Sequence, residues 1–377
     1  MLLSNFQILR PPYESDQETS LNWLIQAHTE SEKQKQNPNL PEFAKTLSEK
    51  LWRIGCKPNR IEKRGHILAD YLHTNWDQME VYRLSKSPSG ENLSIRSQHF
   101  GNYVDTVFEQ YYPEGSSPPD DLVHVSCTGY VSPSGAQKLA SKRTWGHHVT
   151  ITHAYHMGCY ASIPAIRMAS GFLALDSAKH TADIVHTEIC SLHVNPGEHQ
   201  ADQLVSQSLF ADGFIKYTVQ KQTNKTHFKI LSIQEEIIPN SIYAMTWNVV
   251  DWGFKMSLAK EIPVLIARAL PLFVERIAKK ANIPLERLLK TSLFAVHPGG
   301  PQILLHVQKV LGLEDPQLAY SFKILKMFGN MSSATLPHIW ESILKDPTVP
   351  NNTLIVSMAF GPGLSVTGSI MEKVCGV

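Results

Sequence analysis

The sequence predicts an α/β protein of two similar halves, each a sheet with helices packed on its faces. Three observations carry that prediction. From Leu122 onward, short apolar runs of strand length alternate with longer segments whose apolar residues recur at helical spacing. The second half repeats the theme, with polar residues at strand ends beside helix starts, where open parallel sheets place their chemistry. The switch is sharpest at Cys159: Val149 and Ile151 alternate with polar residues as on a strand, whereas Ile163, Ile166, Met168 and Leu173 recur as on a helix.

The elements follow in order. Ser15 and Glu18 have capping-box spacing and open a helix carrying Leu21, Trp23, Leu24, Ile25 and Ala27. A second helix runs from Pro41 through Phe43, Leu47 and Leu51, ahead of the basic cluster Lys57, Arg60, Lys63 and Arg64. Such a cluster is a solvated surface or a site for an acidic carrier or a phosphate. Residues 85–92, with Pro88 and Gly90, read as a loop. Leu93 to Tyr112 reads as a helix, Leu122 to Cys127 as a buried strand, and Asp183 to Ile189 as another after the Cys159 helix. Strands alternating with helices in this way argue for a parallel sheet. Ala211 to Gln220 and Phe228 to Ile238 form a pair of strands. A helical pattern from Leu258 to Lys280 then leads to the strand Ser292 to Val296, which ends at His297-Pro-Gly-Gly300. Helices run on through Leu311 and from Pro316 to Phe328, Met331-Ser-Ser-Ala334 opens another, and strands Thr353 to Phe360 and Leu364 to Ile370 flank Gly361-Pro-Gly363.

Composition excludes several classes. The 377 residues are 42% hydrophobic and 18% charged with a net charge of +1, so no global field draws the chain to nucleic acid or a membrane surface. No run approaches transmembrane length and the start lacks a signal-peptide pattern, which predicts a cytoplasmic protein. Five cysteines without a C-x-x-C pair make neither a disulfide framework nor a zinc set, and the 17 histidines show no H-E-x-x-H spacing; no metal or other cofactor is expected.

Cys159 stands out by position. A thiol at a helix N-terminus faces unpaired N–H groups and the positive end of the macrodipole, so its pKa is expected to fall, and Gly158 permits the sharp turn that presents the sulfur. A buried structural cysteine is the plain alternative. Taken singly, His297 is equally a turn histidine and Asn330 a helix cap.

Several motifs occur together with this junction: His297-Pro-Gly-Gly-Pro301, Gly329-Asn-Met-Ser-Ser-Ala334, Phe360-Gly-Pro-Gly363, Glu188-Ile189 and Ser208-Leu-Phe-Ala-Asp-Gly213. In these the chain, from about Leu122 to its end, resembles the chalcone/stilbene synthase group, the type III polyketide synthases of the thiolase superfamily. The resemblance implies a thiolase fold of five αβαβα layers, with residues 1–224 as the half carrying the nucleophile and 225–377 as the half carrying its partners. It implies a homodimer, and a catalytic trio of Cys159, His297 and Asn330. Gly361, Pro362 and Gly363 would shape the cavity, Ser332 and Ser333 would be helix caps, and Val194 and Met256 stand where plant flavonoid enzymes carry bulky aromatics at the cavity throat. Acyl groups would arrive as CoA or acyl-carrier-protein thioesters, with Lys57, Arg60, Lys63 and Arg64 as docking residues.

The chemistry agrees with the residue types. A cysteine can hold an acyl group as a new thioester, and neutral donors such as His and Asn can stabilise the enolate of a second substrate. The expected activity is a Claisen-type condensation of acyl or β-ketoacyl thioesters. Phe6-Gln-Ile-Leu-Arg-Pro-Pro12 with Tyr155-His-Met-Gly-Cys159 also resembles bacterial stand-alone ketosynthases that join two β-ketoacyl chains into an α-pyrone antibiotic without decarboxylation. A Cys/His thioester hydrolase is the alternative from another class, although no C-G-S-C-W signature is present. A scaffold without activity is a further one.

Overall fold

The computed structural model describes residues 1–376. The N-terminal half contains β1 (Leu2–Leu9), β2 (Tyr13–Asp16), α1 (Gln17–Gln34), α2 (Leu40–Ile54), β3 (Lys63–His66), α3 (Leu93–Tyr111) and β4 (Asp121–Ser126). It continues with α4 (Gly135–Lys142), β5 (Thr150–Tyr155), α5 (Ser162–Leu175), β6 (Thr181–Glu188), α6 (Ala201–Leu209) and β7 (Gly213–Gln220). Helix α1 starts one residue later than the Ser15 capping box predicted. Ser15 lies in β2 and its hydroxyl is engaged by His66 Nε2 at 2.9 Å, so Asp16 caps instead, accepting from the Thr19 N–H at 2.8 Å.

The C-terminal half contains β8 (His227–Ile237), β9 (Met245–Val250), β10 (Gly253–Leu258), α7 (Ile262–Lys280), α8 (Leu285–Thr291), β11 (Leu293–Val296) and α9 (Pro301–Leu311). Then come α10 (Asp315–Phe328), α11 (Thr335–Lys345), β12 (Leu354–Gly361) and β13 (Ser365–Val374). Helix α7 begins at Ile262, not Leu258, because Leu258 ends a hairpin strand; Pro263 then falls in the first turn, where its missing N–H costs nothing. Sequence periodicity did not reveal β1, the β2–β3 pair, the β9–β10 hairpin or α8.

Nine strands form one hydrogen-bonded sheet in the order β11-β12-β13-β8-β1-β7-β6-β4-β5. The sheet is mixed rather than parallel: only β4–β5, β4–β6 and β11–β12 pair parallel. The tight turn at Gly361-Pro-Gly363 returns β13 directly beside β12, and a chain that reverses without a crossover pairs antiparallel.

Period-two alternation distributes the strand side chains between cores. Val123, Ile184, Ile215, Ala295 and Ile355 face a central core that also holds Ile163 and Ile166 of α5 and Ile339 and Trp340 of α11. Their neighbours Leu122, Val185 and Phe214 face outward onto α1, α2, α3 and α4. On the other half, Phe294 and Val356 face outward onto α7, α8, α9 and α10. Two outer helical layers, two sheet regions and a central layer of α5 and α11 give the αβαβα order of a thiolase fold. The 224/225 division falls in the loop joining β7 and β8.

Candidate active site

The Cys159 turn is built between β5 and α5. His156 and Gly158 have φ of 61° and 87°, so the chain leaves the strand through left-handed backbone. At Gly158 nothing larger fits, because a Cβ would lie 2.4 Å from Pro362 Cδ. The Cys127 thiol accepts from the Gly158 N–H and donates to its carbonyl, both at 3.0 Å. Cys159 follows, only 6% exposed, with its thiol 3.8 Å from Ser332 Oγ.

The expectation of a lowered thiol pKa is overturned. Burial pushes the Cys159 thiol up to about 12; the Ser332 hydroxyl pulls it down and the Glu188 carboxylate adds to the rise. Helix α5 starts at Ser162, three residues on, and the cost of burying a thiolate exceeds what the helix terminus returns.

His297 directly follows β11, its N–H donating to Met358 O at 2.8 Å. Both ring nitrogens are buried with no partner among the described residues, and burial lowers its pKa to about 3. Asn330 follows Gly329, whose φ of 73° ends α10. Its N–H donates to Leu209 O at 2.9 Å, and its Oδ1 accepts from the Ser332 N–H at 2.9 Å. That bond orients the side-chain amide and leaves Nδ2 as the end able to donate to a ligand.

Cys159, His297 and Asn330, distant in sequence, line one open channel of about 600 Å³. Cys159 also borders a second, narrower space lined by Cys127, Thr128, His193, Trp247 and Phe254. Cys159, Phe210 and Met256 border both spaces.

The other candidates divide. Met256 borders both spaces, and Val194 borders only the second, narrower one. Gly361, Pro362 and Gly363 border neither space. Pro362 packs against Gly158, and a Cβ on Gly361 would meet the Tyr160 ring at 2.1 Å, so this turn buttresses the Cys159 turn.

Of the basic cluster, Lys57 and Arg60 border the channel, joined by Arg53 and Lys260; no carboxylate pairs with these four among the described residues. Lys63 and Arg64 are not docking residues. Lys63 pairs with Glu14 at 2.6 Å outside the channel. Arg64 is 6% exposed and donates to Gln17 Oε1, Gln207 O and Phe210 O, each at 2.8 Å, which ties down the end of α6.

Sequence reasoning missed Phe210, Trp247, Arg53 and Lys260 as site residues. Phe210 sat inside a recognised motif without a role, and two strands of the β9–β10 hairpin were needed to see Trp247. Glu188, a motif residue, lies fully buried and accepts from the Cys127 N–H at 3.0 Å, Thr128 Oγ1 at 3.0 Å and the Ser333 hydroxyl. His186 Nδ1 lies 2.9 Å from the same Ser333 Oγ, so Ser333 is part of a buried hydrogen-bonded network. Among the described residues no cluster of His, Cys, Asp or Glu is arranged to hold a metal, and no helix is long and apolar enough to cross a membrane.

The layered fold, with a buried cysteine at a strand-to-helix turn beneath an open channel, places the protein in the thiolase-fold class. Comparison with known proteins narrows this. Residues 229–375 match the family of chalcone and stilbene synthases, C-terminal domain. "Probable polyketide synthase 1" of Dictyostelium discoideum is 30% identical over 258 residues, 67% of this chain; the chain spans only 8% of that relative's length. Among solved structures, the C-terminal type III polyketide synthase domain of Steely1, a type I/III hybrid from Dictyostelium, superposes with a TM-score of 0.83 at 21% identity, covering 99% of each chain. The 1,3,6,8-tetrahydroxynaphthalene synthase of Streptomyces coelicolor A3(2), a bacterial type III polyketide synthase, gives 0.79 at 20% identity over 100% of each chain. At these identities the structures speak for the fold.

Proposed function

We propose that this protein is a ketosynthase that forms carbon–carbon bonds by condensing acyl thioesters through an acyl group held on Cys159. The carrying observation is that Cys159, His297 and Asn330, brought from both halves of the chain, line one open channel of about 600 Å³. The kinship with polyketide synthases supports the same reading. The Cys159 sulfur attacks the thioester carbonyl while a free His297 nitrogen takes the thiol proton and returns it to the departing thiol. A malonyl-type thioester then loses carbon dioxide, its enolate oxygen held by the imidazole N–H and Asn330 Nδ2. The enolate carbon attacks the Cys159 thioester and releases the cysteine.

Arg53, Lys57, Arg60 and Lys260 would attract the phosphates of a CoA thioester, or those of a carrier protein's prosthetic arm. In this reading 1–224 carries the nucleophile and 225–377 carries His297 and Asn330. The unpaired edge of β5 offers backbone groups along which a second copy could extend the sheet into the dimer that the resemblance implies.

The test is to incubate the protein with short acyl-CoA thioesters and malonyl-CoA, locate the acylated peptide by mass spectrometry and follow carbon dioxide release. Acylation at Cys159, absent from Cys159→Ala, is expected. Acylation elsewhere, or thioester cleavage without a condensed product, would remove the reading.

A further inference from the structure

We propose that His28 and His199 together hold one proton more than two neutral imidazoles can, and that this proton clamps residues 195–200, and with them α6, against α1. Both histidines are positioning residues. Their effect on turnover rests on the condensing reading above, whereas their protonation does not. The two rings form the middle of one hydrogen-bonded chain. Glu32 Oε1 lies 2.9 Å from His199 Nε2, His199 Nδ1 lies 2.9 Å from His28 Nδ1, and His28 Nε2 lies 2.7 Å from Gln207 Oε1.

The hydrogens fix the charge. The Gln207 amide is oriented by its Nε2, which donates to Asn195 O at 3.1 Å, so Oε1 can only accept from His28. The other end accepts too. Burial works against the Glu32 carboxylate, but donors from Lys35, His199 and Asn37 bring its pKa down to about 2. Three bonds between two accepting ends need three ring protons, and two neutral imidazoles supply two. His28 is wholly buried, which lowers its pKa to about 3, so it keeps the Nε2 proton alone. The third proton therefore sits on His199, whose ring donates through both nitrogens. Without it the two Nδ1 lone pairs face each other at 2.9 Å and one bond of the chain is lost.

Charges from each neighbouring element bear on that proton. Burial lowers the hold of His199 on it, Glu32 of α1 raises it, and Lys35 of α1 and Lys50 of α2 lower it again. The same two lysines grip the segment, donating to Gly197 O at 3.2 Å and His199 O at 2.7 Å, while the Phe43 ring of α2 meets the imidazole edge-on at 4.9 Å. The clamp is thus closed in mild acid and opens as pH rises. What it holds borders the site: Gln203 and Gln207 of α6 line the narrower space beside Cys159, and Val205 and Leu209 line the channel. Glu198 pairs with Lys255 of β10 at 3.0 Å, so the segment also steadies the hairpin next to Met256.

The experiment follows the imidazole nitrogens by NMR between about pH 5 and 8 in wild type, His199→Gln and Glu32→Gln, with kcat and KM for an acyl-CoA thioester over the same range. Circular dichroism reports whether each variant folds. The His199 nitrogens are expected to pass from imidazolium to neutral as pH rises, with His28 protonated at Nε2 throughout. KM should rise by about three- to tenfold across that transition and kcat should change less, because α6 borders the substrate without touching the reacting atoms. Glu32→Gln should move both transitions to lower pH, and His199→Gln should abolish the step in KM. Where a variant does not fold, the wild-type titration and its coincidence with the KM step carry the test. A His199 that keeps one protonation state throughout, or a KM step that survives in folded His199→Gln, would overturn the inference. No condensation by wild type would remove the parent reading and leave the titration to decide this one.

Discussion

The Cys127 thiol grips Gly158 from both sides, accepting from its N–H and donating to its carbonyl at 3.0 Å each. This residue pair joins the end of β4 to the turn that presents the nucleophile, so the position of the Cys159 sulfur depends on a second buried thiol that takes no part in chemistry. Replacing Cys127 by Ala leaves the Gly158 N–H buried and unpaired and its carbonyl with the Ala161 N–H alone, at a cost of about 1–3 kcal/mol. A lower Tm and an acylation rate at Cys159 reduced about tenfold are expected, with Cys127→Ser restoring part of both. A variant that loads acyl groups at the wild-type rate would show that Pro362 alone holds the turn.

The neutral state of the pair makes a second prediction. With the Cys159 thiol raised to about 12 and His297 lowered to about 3, both are uncharged at neutral pH in the unliganded protein. Alkylation of Cys159 by iodoacetamide should therefore keep rising with pH beyond 9, without a plateau in the range typical of ion-paired cysteines. A plateau below pH 8 would mean that a thiolate–imidazolium pair forms and that burial has been outweighed.

Asn330 separates the two half-reactions. In the proposed reaction its Nδ2 serves the enolate, not the first acyl transfer. Asn330→Ala should lower the condensation rate by about 100- to 1,000-fold while slowing Cys159 loading far less. Single-turnover loading followed by a malonyl-CoA chase measures both steps, and equal losses in the two would reassign Asn330 to holding the Ser332 turn.

Acid stability follows from the buried histidines. His28, His124, His193 and His297 are lowered to about 3, and His66 and His338 to about 4, all chiefly by burial. Each has a folded pKa below its unfolded value near 6.5, so the unfolded chain binds more protons between those limits. Stability contributed by keeping them neutral is whole above about pH 6.5 and falls as pH drops toward 3–4, by up to about 1.4 kcal/mol per unit for each group. Asp212, raised to about 7 by burial, and Glu188, also raised, act in the opposite sense, but they are two groups against six. Tm should drop steeply from pH 6.5 to 5, and a Tm independent of pH over that range would contradict the buried neutral histidines.

What the sequence revealed depended on local pattern. The Cys159 turn was legible because alternating and helical spacing meet there within a few residues, and His297 and Asn330 because each sits in a motif at an element boundary. The β9–β10 hairpin was not legible: the residues of β9 are all half-buried or exposed, so no apolar alternation marks the strand, and Trp247 gains its role only when folded against Cys127. The lowered thiol pKa was a local inference that burial by distant residues reversed. The basic cluster failed for a similar reason. Charge composition treats Lys63 and Arg64 alike, but they are consecutive in β3 and so face opposite ways, one outward to Glu14 and the other into the protein.

That difference yields the last prediction. Lys57 and Arg60 should act on substrate, and Arg64 on the fold. Neutralising Arg53, Lys57, Arg60 and Lys260 together should raise KM for a CoA thioester by about 30- to 1,000-fold at low salt, at about 0.5–1 kcal/mol per cation, with little change in kcat. Added salt should shrink the difference, because exposed charges at the channel mouth are screened. Arg64→Ala should behave otherwise. It strips donors from Gln207 O and Phe210 O at the end of α6, and Phe210 pairs with Asn330 through a β-bridge, so the loss reaches the channel wall. Each buried carbonyl left without a donor costs about 1–3 kcal/mol, so Tm should fall by several degrees whatever the salt concentration. A folded Arg64→Ala protein with wild-type Tm and a salt-dependent KM defect would return Arg64 to the docking surface.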